Sequence, residues 1–242
     1  MAAHLGRKVV GCALTTRRYD LTAMKIDLHV HSKEVSPCGH IPIADLVTLY
    51  SKTQFDAIVL TNHFSASVAR IQKDAGHNDF ASYYLETYHK AKALGEKCGL
   101  LVLCGFELRF ADGCANDYLV YGLPEDMAMD CEKYFAMTPE EFYPISQERG
   151  FLFYQAHPFR DAMKIVKPDF LFGIETKNGH PRHDSRNDIA AAWADKFNLH
   201  KIAGSDCHRL QDVGLAGIET DVNVKTIDDL VEVLRNDRYS IL

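Results

Sequence analysis

The chain has 242 residues, a formal net charge of −6 at pH 7 and 47% hydrophobic residues, as expected for a globular protein with one large core. The acidic balance argues against a nucleic-acid duplex as partner, because duplex-binding surfaces normally carry basic stripes. The apolar runs fall short of the ~20 residues that span a bilayer, so a membrane is not expected as a partner either. The seven cysteines form neither a CxxC pair nor a framework spacing, which favours reduced thiols and a cytoplasmic location.

The first 23 residues, MAAHLGRKVVGCALTTRRYDLTA, are predicted to be an extension that precedes a single domain over residues 24–242. Their apolar run is short and is followed closely by Arg17 and Arg18, so they make a poor signal peptide. An additional N-terminal strand is the alternative interpretation. No Gly/Ser linker, low-complexity tract or internal repeat divides the rest of the chain.

Short apolar stretches alternate with helical stretches along the domain. Strands are predicted over Lys25–Val30, Ala57–Leu60, Leu100–Phe106, Tyr118–Tyr121, Phe151–Tyr154, Phe170–Ile174 and His200–Ala203. Helices are predicted over Ile43–Lys52, Ser82–Cys98, Pro139–Arg149, Arg186–Phe197 and Ile227–Leu234. This alternation predicts a parallel sheet with helices outside, and roughly seven units without a Gly-rich nucleotide motif favour a distorted (β/α)7 TIM-like barrel over an open sheet.

The first predicted strand carries polar residues at alternate positions, in the stretch IDLHVHSKEVSPCGH from Ile26 to His40. Alternate residues of a strand share a face, so Asp27, His29 and His31 are expected to point the same way. Burying such side chains is costly unless they find partners. A metal site or a hydrogen-bond network would satisfy them.

The other predicted strands also end in polar side chains. Parallel strands of a barrel present their carboxyl ends at one face, where seven side chains are expected to converge: His29, His31, His63, Glu107, His157, Asp206 and His208. Taken singly, each histidine would be an ordinary loop residue, Glu107 an ion-pair partner and Asp206 a helix N-cap. Together they favour a metal centre that suits Zn, Mn or Fe, and seven ligands predict two or three divalent ions with Glu107 bridging.

The motifs DLHVHS, TNH, GFEL, QAHPF and GSDCH, in this order, resemble those of the PHP (polymerase and histidinol phosphatase) domain family. The resemblance extends from Met24 to about Thr220. It implies a distorted seven-stranded β/α barrel, a trinuclear metal centre and metal-dependent hydrolysis of phosphoesters. By this resemblance, one metal is held by His29, His31, Glu107 and Asp206, a second by Glu107 and His157, and a third by His63 and His208.

The sequence departs from the family pattern at two of these positions. Cys38 stands where many relatives have an Asp or His ligand of the third metal. Its thiolate completes that site, His40 reaches in instead, or the site is weak; a structural turn cysteine is the remaining interpretation. Asp117 stands where relatives often have a histidine ligand of the second metal. Asp27 is expected to orient a ligand from behind it, or to be a simple buried acceptor.

The charges of such a centre predict the mechanism: a hydroxide held between the metals attached to Glu107 attacks phosphorus in line, and Asp206 is counted among the catalytic residues. The sequence offers His208 or His183 as the acid that protonates the leaving group. Arg160, Arg182 and Arg186 are candidates for gripping a phosphate, since guanidinium suits bidentate phosphate contacts. The alternative for each arginine is an ordinary ion pair.

The predicted function is hydrolysis of a small phosphorylated metabolite or nucleotide by a cytoplasmic metal-dependent phosphoesterase. One alternative is an amidohydrolase-like enzyme that cleaves C–N or C–O bonds, because paired metals also activate water against carbonyl groups. Another is a non-catalytic PHP module, which would normally have lost metal ligands. The stretch HFSASVARIQKDAGHNDFASYY, residues 63–84, is predicted to form a loop over the mouth of the barrel.

Overall fold

The computed structural model describes residues 23–242, so the predicted N-terminal extension, apart from residue 23, lies outside the described residues. Ten strands are present in this part of the chain: β1 (Met24–Val30), β2 (Ala57–Leu60), β3 (His63–Ser65), β4 (Leu101–Arg109), β5 (Tyr118–Tyr121), β6 (Leu152–Gln155), β7 (Gly173–Asn178), β8 (His200–Gly204), β9 (Ile218–Thr220) and β10 (Ser240–Ile241). Its helices are α1 (Ile43–Tyr50), α2 (Ala66–Asp74), α3 (Phe80–Cys98), α4 (Glu125–Ala128), α5 (Cys131–Phe135), α6 (Pro139–Arg149), α7 (Asn187–Phe197) and α8 (Ile227–Arg235).

The strands form one sheet in the order β10-β9-β1-β2-β4-β5-β6-β7-β8, and β3 pairs with β4 outside this path. Beyond β8, the N–H of Cys207 donates to the carbonyl of His29 at 3.2 Å, and the N–H of His31 donates to the carbonyl of Cys207 at 3.0 Å. These bonds bring the chain after β8 back to β1. The structure is therefore a mixed α/β fold with a nearly closed, barrel-like sheet, and the predicted fold class is confirmed.

Closure of the barrel depends on the absence of a side chain at Gly204. A Cβ atom there would lie 2.3 Å from the Cβ of His29 and 2.7 Å from its backbone nitrogen. Only glycine allows β8 to approach β1 this closely.

Among the strands predicted from the sequence, one runs against the expected direction; the short β9, which was not predicted, is also antiparallel to β1. β5 is antiparallel to both β4 and β6, with Leu108 opposite Tyr118 and Tyr118 opposite Gln155. The expectation of a wholly parallel sheet is wrong here. As a result, the start of β5 lies beside the ends of β4 and β6, which brings Asp117 to the same face of the barrel as the strand ends.

Helix α3 ties the ends of β2 and β4 together. It begins after Asp79, whose side chain accepts the N–H of Ser82 at 3.0 Å, and ends at Gly99 in the left-handed conformation. The hydroxyl of Tyr84 on its inner face donates to the carbonyls of Asn62 at 3.1 Å and Gly105 at 2.7 Å. This contact fixes the backbone just before His63 and Glu107.

Two local predictions are corrected. Residues 63–84 are not a loop, because they contain β3, α2 and the start of α3. Ser65 caps α2 by accepting the N–H of Val68 at 3.3 Å, and Gln72 donates to the carbonyls of Glu34 and Val35. The sixth predicted strand is displaced to β7, because Pro168–Phe170 forms a 3-10 turn. Within residues 23–242, no helix is long and apolar enough to cross a membrane.

Candidate metal centre

The seven side chains expected to converge do meet at one end of the barrel. Glu107 lies at the centre and is 1% exposed. Its Oε1 is 3.2 Å from Nε2 of both His29 and His157, whereas its Oε2 is 2.6 Å from Nδ1 of His63 and 3.4 Å from Nε2 of His31. The register of β3 against β4 produces part of this arrangement, because His63 pairs directly with Glu107.

The charge of Glu107 is stabilised by this ring of imidazoles. Burial alone would raise the pKa of its carboxyl, but His63, His29 and His31 together hold that pKa well below its ordinary value. The carboxylate is therefore ionised at neutral pH and can bridge two cations.

Asp206 is the second buried carboxylate, and it lies opposite Glu107 across the histidines. Its Oδ1 is 3.5 Å from Nε2 of both His29 and His31, and 3.3 Å from Nδ1 of His208. Burial raises its pKa, but His29 and its other neighbours lower the pKa well below the usual value. Asp206 and His157 both have positive φ, 53° and 29°. Such strain costs of order 1–3 kcal/mol and is found at functional sites.

A third group lies nearer the solvent. The Sγ of Cys38 is 3.1 Å from Nε2 of His63 and 3.1 Å from Nε2 of His208. Burial would raise the pKa of this thiol, but the hydrogen bonds with His208 and His63 lower it to about 6. His40 does not join the group, because its side chain is exposed and only its backbone N–H reaches His208, at the carbonyl.

Several buried atoms at the centre have no hydrogen-bond partner within residues 23–242. They are Nε2 of His29, Nε2 of His31 and Oε2 of Glu107. They lie within ion-pair distance of neighbouring groups but not in hydrogen-bonding geometry. Buried polar atoms are costly in this state, and divalent metal ions would satisfy them. Five triads of donor atoms lie close enough to hold an ion: His29–His31–Glu107, His29–His157–Asp206, His31–His63–His208, His180–Asp206–His208 and His63–Glu107–Asp117.

Glu175 orients the centre, a role that the sequence analysis did not assign. Its Oε1 accepts from Nδ1 of His29 at 2.9 Å, and its Oε2 accepts from the N–H of His157 at 2.9 Å. Asn178 donates to Oε2 of Glu175 and to Oδ2 of Asp206. Partners of this kind fix the tautomer and direction of a ligating imidazole. A signal was available, since Glu175 is an acidic residue in an otherwise apolar stretch.

Asp27 supports the backbone rather than an imidazole ring. Its Oδ1 accepts the N–H groups of His29 at 3.2 Å and Ser205 at 2.9 Å, and its Oδ2 accepts the hydroxyl of Tyr50 at 2.7 Å. Burial raises the pKa of Asp27 to about 6 despite these bonds. Through these hydrogen bonds, Asp27 links the strand that carries His29 to the segment after β8 that carries Asp206. The group that contacts the His31 ring, as was expected of Asp27, is the hydroxyl of Ser36, which lies 3.1 Å from Nδ1.

The three arginines proposed as phosphate ligands are all engaged by carboxylates. Arg160 donates to Oδ2 of Asp206 at 2.7 Å, so it lies at the centre but neutralises one of its own acids. Arg182 forms two 2.6 Å bonds with Asp212. Arg186 pairs with Asp161 at 2.5 Å and donates to the carbonyl of Phe159. Arg182 and Arg186 therefore each form an ion pair in this structure, and their contact with a phosphate stays a prediction.

A different arginine reaches the mouth of the barrel. Both carboxylate oxygens of Asp117 accept from Arg109, at 2.7 Å from Nε and 2.6 Å from Nη2. Asp117 is 2% exposed and still has an oxygen within 4.8 Å of donor atoms of His63 and Glu107. His183, a candidate acid, is exposed at the rim, with its ring 4.6 Å from that of His180.

Comparison with known families supports the resemblance seen in the motifs. The family profile PHP_C, described as PHP-associated, matches residues 184–239. No curated protein matches the chain. Together with the fold, the profile match supports the predicted resemblance to the PHP domain family.

Solved structures share this fold at low sequence identity. A two-domain protein from Bacteroides vulgatus, described as containing a predicted PHP-like metal-dependent phosphoesterase, is 19% identical with a TM-score of 0.60. The similarity covers 91% of this chain and 65% of that protein, so the chain spans less than two thirds of its length. An amidohydrolase from Chromobacterium violaceum, solved with bound sulfate and no metal, is 16% identical over 90% of this chain and 97% of that one, with a TM-score of 0.52.

A third neighbour corrects the prediction about partners. The lesion-specific endonuclease Q of Pyrococcus furiosus is 13% identical with a TM-score of 0.56, covering 90% of this chain and 57% of that one. Endonuclease Q has also been solved with a 27-mer duplex substrate that has an abasic lesion at the active site. The exclusion of a nucleic-acid duplex on the basis of net charge is therefore wrong, because a protein that shares this fold binds a duplex substrate.

Proposed function

Because this chain resembles the PHP domain family in its ordered motifs, its fold and its PHP-associated segment, we propose that it is a metal-dependent hydrolase of phosphate esters. The observation that carries the proposal is the convergence of five imidazoles and two carboxylates at the strand ends. Buried nitrogen and oxygen atoms there lack hydrogen-bond partners among the described residues. This donor set fits two or three divalent ions of the Zn, Mn or Fe type.

The proposed ligands fall into three overlapping groups around the bridging carboxylate of Glu107. His29, His31 and Asp206 share the first group with it, and His157 extends it to a second. Cys38, His63 and His208 make the third group, and Asp117 stays a proposed ligand of the second. When bound, the metals would activate water, offset phosphate charge and stabilise the leaving oxygen.

The chain's own residues prepare this chemistry. Glu175 and Ser36 hold the imidazoles of His29 and His31 in fixed directions. His208 engages Cys38 through Nε2 and the carbonyl of Asp206 through Nδ1, at 2.8 Å. His183 makes no hydrogen bond with any residue from 23 to 242, so we favour it over His208 as the group that exchanges a proton with the leaving oxygen.

A second candidate is hydrolysis of C–N or C–O bonds. The fold shared with the amidohydrolase of Chromobacterium violaceum supports it. We favour phosphate esters because Arg109 presents a partly exposed guanidinium at the mouth of the barrel. The substrate tests therefore need to include small phosphomonoesters, phosphodiesters, a duplex with an abasic site, and amide and lactone compounds.

The first test combines metal content with hydrolysis. We expect two or three equivalents of transition metal per chain by elemental mass spectrometry, and turnover of at least one phosphate ester. Glu107→Gln should lower metal content and reduce turnover by roughly 100-fold or more, since several kcal/mol of charge stabilisation is lost. Asp221→Asn, at an exposed ion pair with Arg238, should change neither. A protein that stays metal-free after incubation with Zn or Mn would contradict the proposal.

A further inference from the structure

Arg109 lies at the mouth of the barrel, and its ion pair with Asp117 uses only part of its guanidinium group. Its side chain is 38% exposed, whereas the Asp117 carboxylate that it contacts is buried. The carboxylate takes the Nε and Nη2 side of the guanidinium, through bonds of 2.7 and 2.6 Å. Nη1 makes no hydrogen bond with any residue from 23 to 242. The end of the guanidinium formed by Nη1 and the second Nη2 proton is thus free, and this end suits bidentate contact with a phosphate.

The guanidinium also lies within electrostatic range of the metal centre. Arg109 follows Glu107 by two positions on β4, so the two side chains share a face of that strand. Asp117 in turn has an oxygen within 4.8 Å of donor atoms of His63 and Glu107. Arg109 is therefore tethered one hydrogen bond away from a carboxylate that belongs to the cluster.

The other arginines of this region are less available. Arg160 is 15% exposed and directs Nη2 to Asp206, Asn178 and Ser185. Arg182 gives both terminal nitrogens to Asp212. Of the arginines at the mouth, Arg109 combines exposure, a fixed position and an unused pair of donors.

We propose that Arg109, held by Asp117, binds a non-bridging oxygen pair of the substrate phosphate and is a specificity-determining residue of this site. The inference rests on the proposed function, because it assigns the phosphate class of substrate to that same centre. Asp117 positions the guanidinium through its two hydrogen bonds, one to each carboxylate oxygen, and each oxygen keeps a lone pair for the proposed metal contact.

The test compares Arg109→Gln and Arg109→Lys with the wild type and with Arg238→Gln, a control at an exposed ion pair with Asp221. Steady-state kinetics on a phosphate ester and binding of inorganic phosphate by calorimetry are measured on metal-loaded protein. In Arg109→Gln we expect KM and the Kd for phosphate to rise roughly 10- to 100-fold, as for loss of charged hydrogen bonds, with metal content unchanged. Arg238→Gln should match the wild type.

Arg109→Lys separates phosphate binding from a merely structural role, and it remains informative if Arg109→Gln fails to fold. Lysine keeps a positive charge beside Asp117. Its single ammonium group cannot make paired hydrogen bonds with Asp117 and with a phosphate at the same time, as a guanidinium can. We expect normal thermal stability with KM still raised several-fold. Full recovery of KM by lysine, or an unchanged KM in Arg109→Gln, would overturn the inference. If the wild type neither binds phosphate nor turns over any phosphate ester, the proposed function itself fails.

Discussion

At the scale of single residues, Cys38 is the most unusual group of the centre. Its Sγ lies 3.1 Å from each of two imidazole nitrogens, and thiolate ligands select borderline or soft ions such as Zn rather than Mg or Ca. A protein loaded with Co(II) should therefore show a thiolate-to-cobalt charge-transfer absorption band. We expect Cys38→Ser to lose this band and about one equivalent of cobalt.

The matched control is Cys98→Ser at the end of α3, where the thiol donates to carbonyls of its own helix. This variant should retain the band in full. A band of equal strength in Cys38→Ser would show that the cysteine is a turn residue and not a ligand.

Some residues of the site can be predicted from the sequence, and others cannot. The positions of His29, His31 and Glu107 could be predicted because these residues lie at or near the carboxyl ends of apolar strands. Glu175 and Arg109 act through other side chains, and their partners His29 and Asp117 are 146 and 8 positions away. Pairing across such distances depends on barrel closure and strand direction, which local pattern does not specify.

At the scale of elements, the approach of β8 to β1 sets the geometry of the centre. Gly204→Ala would place a methyl group 2.3 Å from the Cβ of His29. We expect a loss of about 1–3 kcal/mol in the free energy of unfolding, as for overpacking, together with a reduced metal content. Chemical denaturation and elemental mass spectrometry measure the two effects.

The control is Gly150→Ala at the end of α6, where φ is 81° but the space around an added Cβ is open. Its left-handed backbone makes alanine unfavourable by about 1 kcal/mol, with no effect on metal content. If Gly204→Ala lost stability but retained its metals, the close approach of the two strands would not position the ligands.

Strand existence was more predictable than strand direction. The apolar run of β5 was visible in the sequence, but buried strands of either direction show the same residues on both faces. Its reversal brings Asp117 to the site face, where a parallel β5 would have put it at the opposite end. Helix α2 escaped prediction for a different reason: its nine residues bury the polar Gln72 together with Val68 but leave Ile71 exposed, so its buried positions do not coincide with its apolar ones.

At the scale of the whole molecule, the net charge of −6 proved a poor guide to partners. Net charge describes long-range attraction and solubility, whereas a phosphate is contacted by a few local cations and by any bound metals. Here Glu107 and Asp206 are buried at the centre, whereas the side chain of Arg109 is partly exposed at its rim. The net charge of the whole chain contains no information about this local arrangement of charged groups.

Metal binding should also contribute to the stability of the entire barrel, because the proposed ligands come from β1, β3, β4 and the segments that follow β6 and β8. A ligand present at 100 times its Kd stabilises the folded state by about 2.7 kcal/mol, which corresponds to roughly 5–10 °C in Tm for a chain of this size. We therefore expect chelator treatment to lower Tm by that amount and Zn or Mn to restore it. Glu107→Gln should show a much smaller increase on adding metal, because the bridging charge is lost, while Asp221→Asn should respond like the wild type. Equal Tm values for chelated and metal-loaded wild type would mean that the buried imidazoles and carboxylates satisfy one another, and that the cluster is a structural network in place of a metal centre.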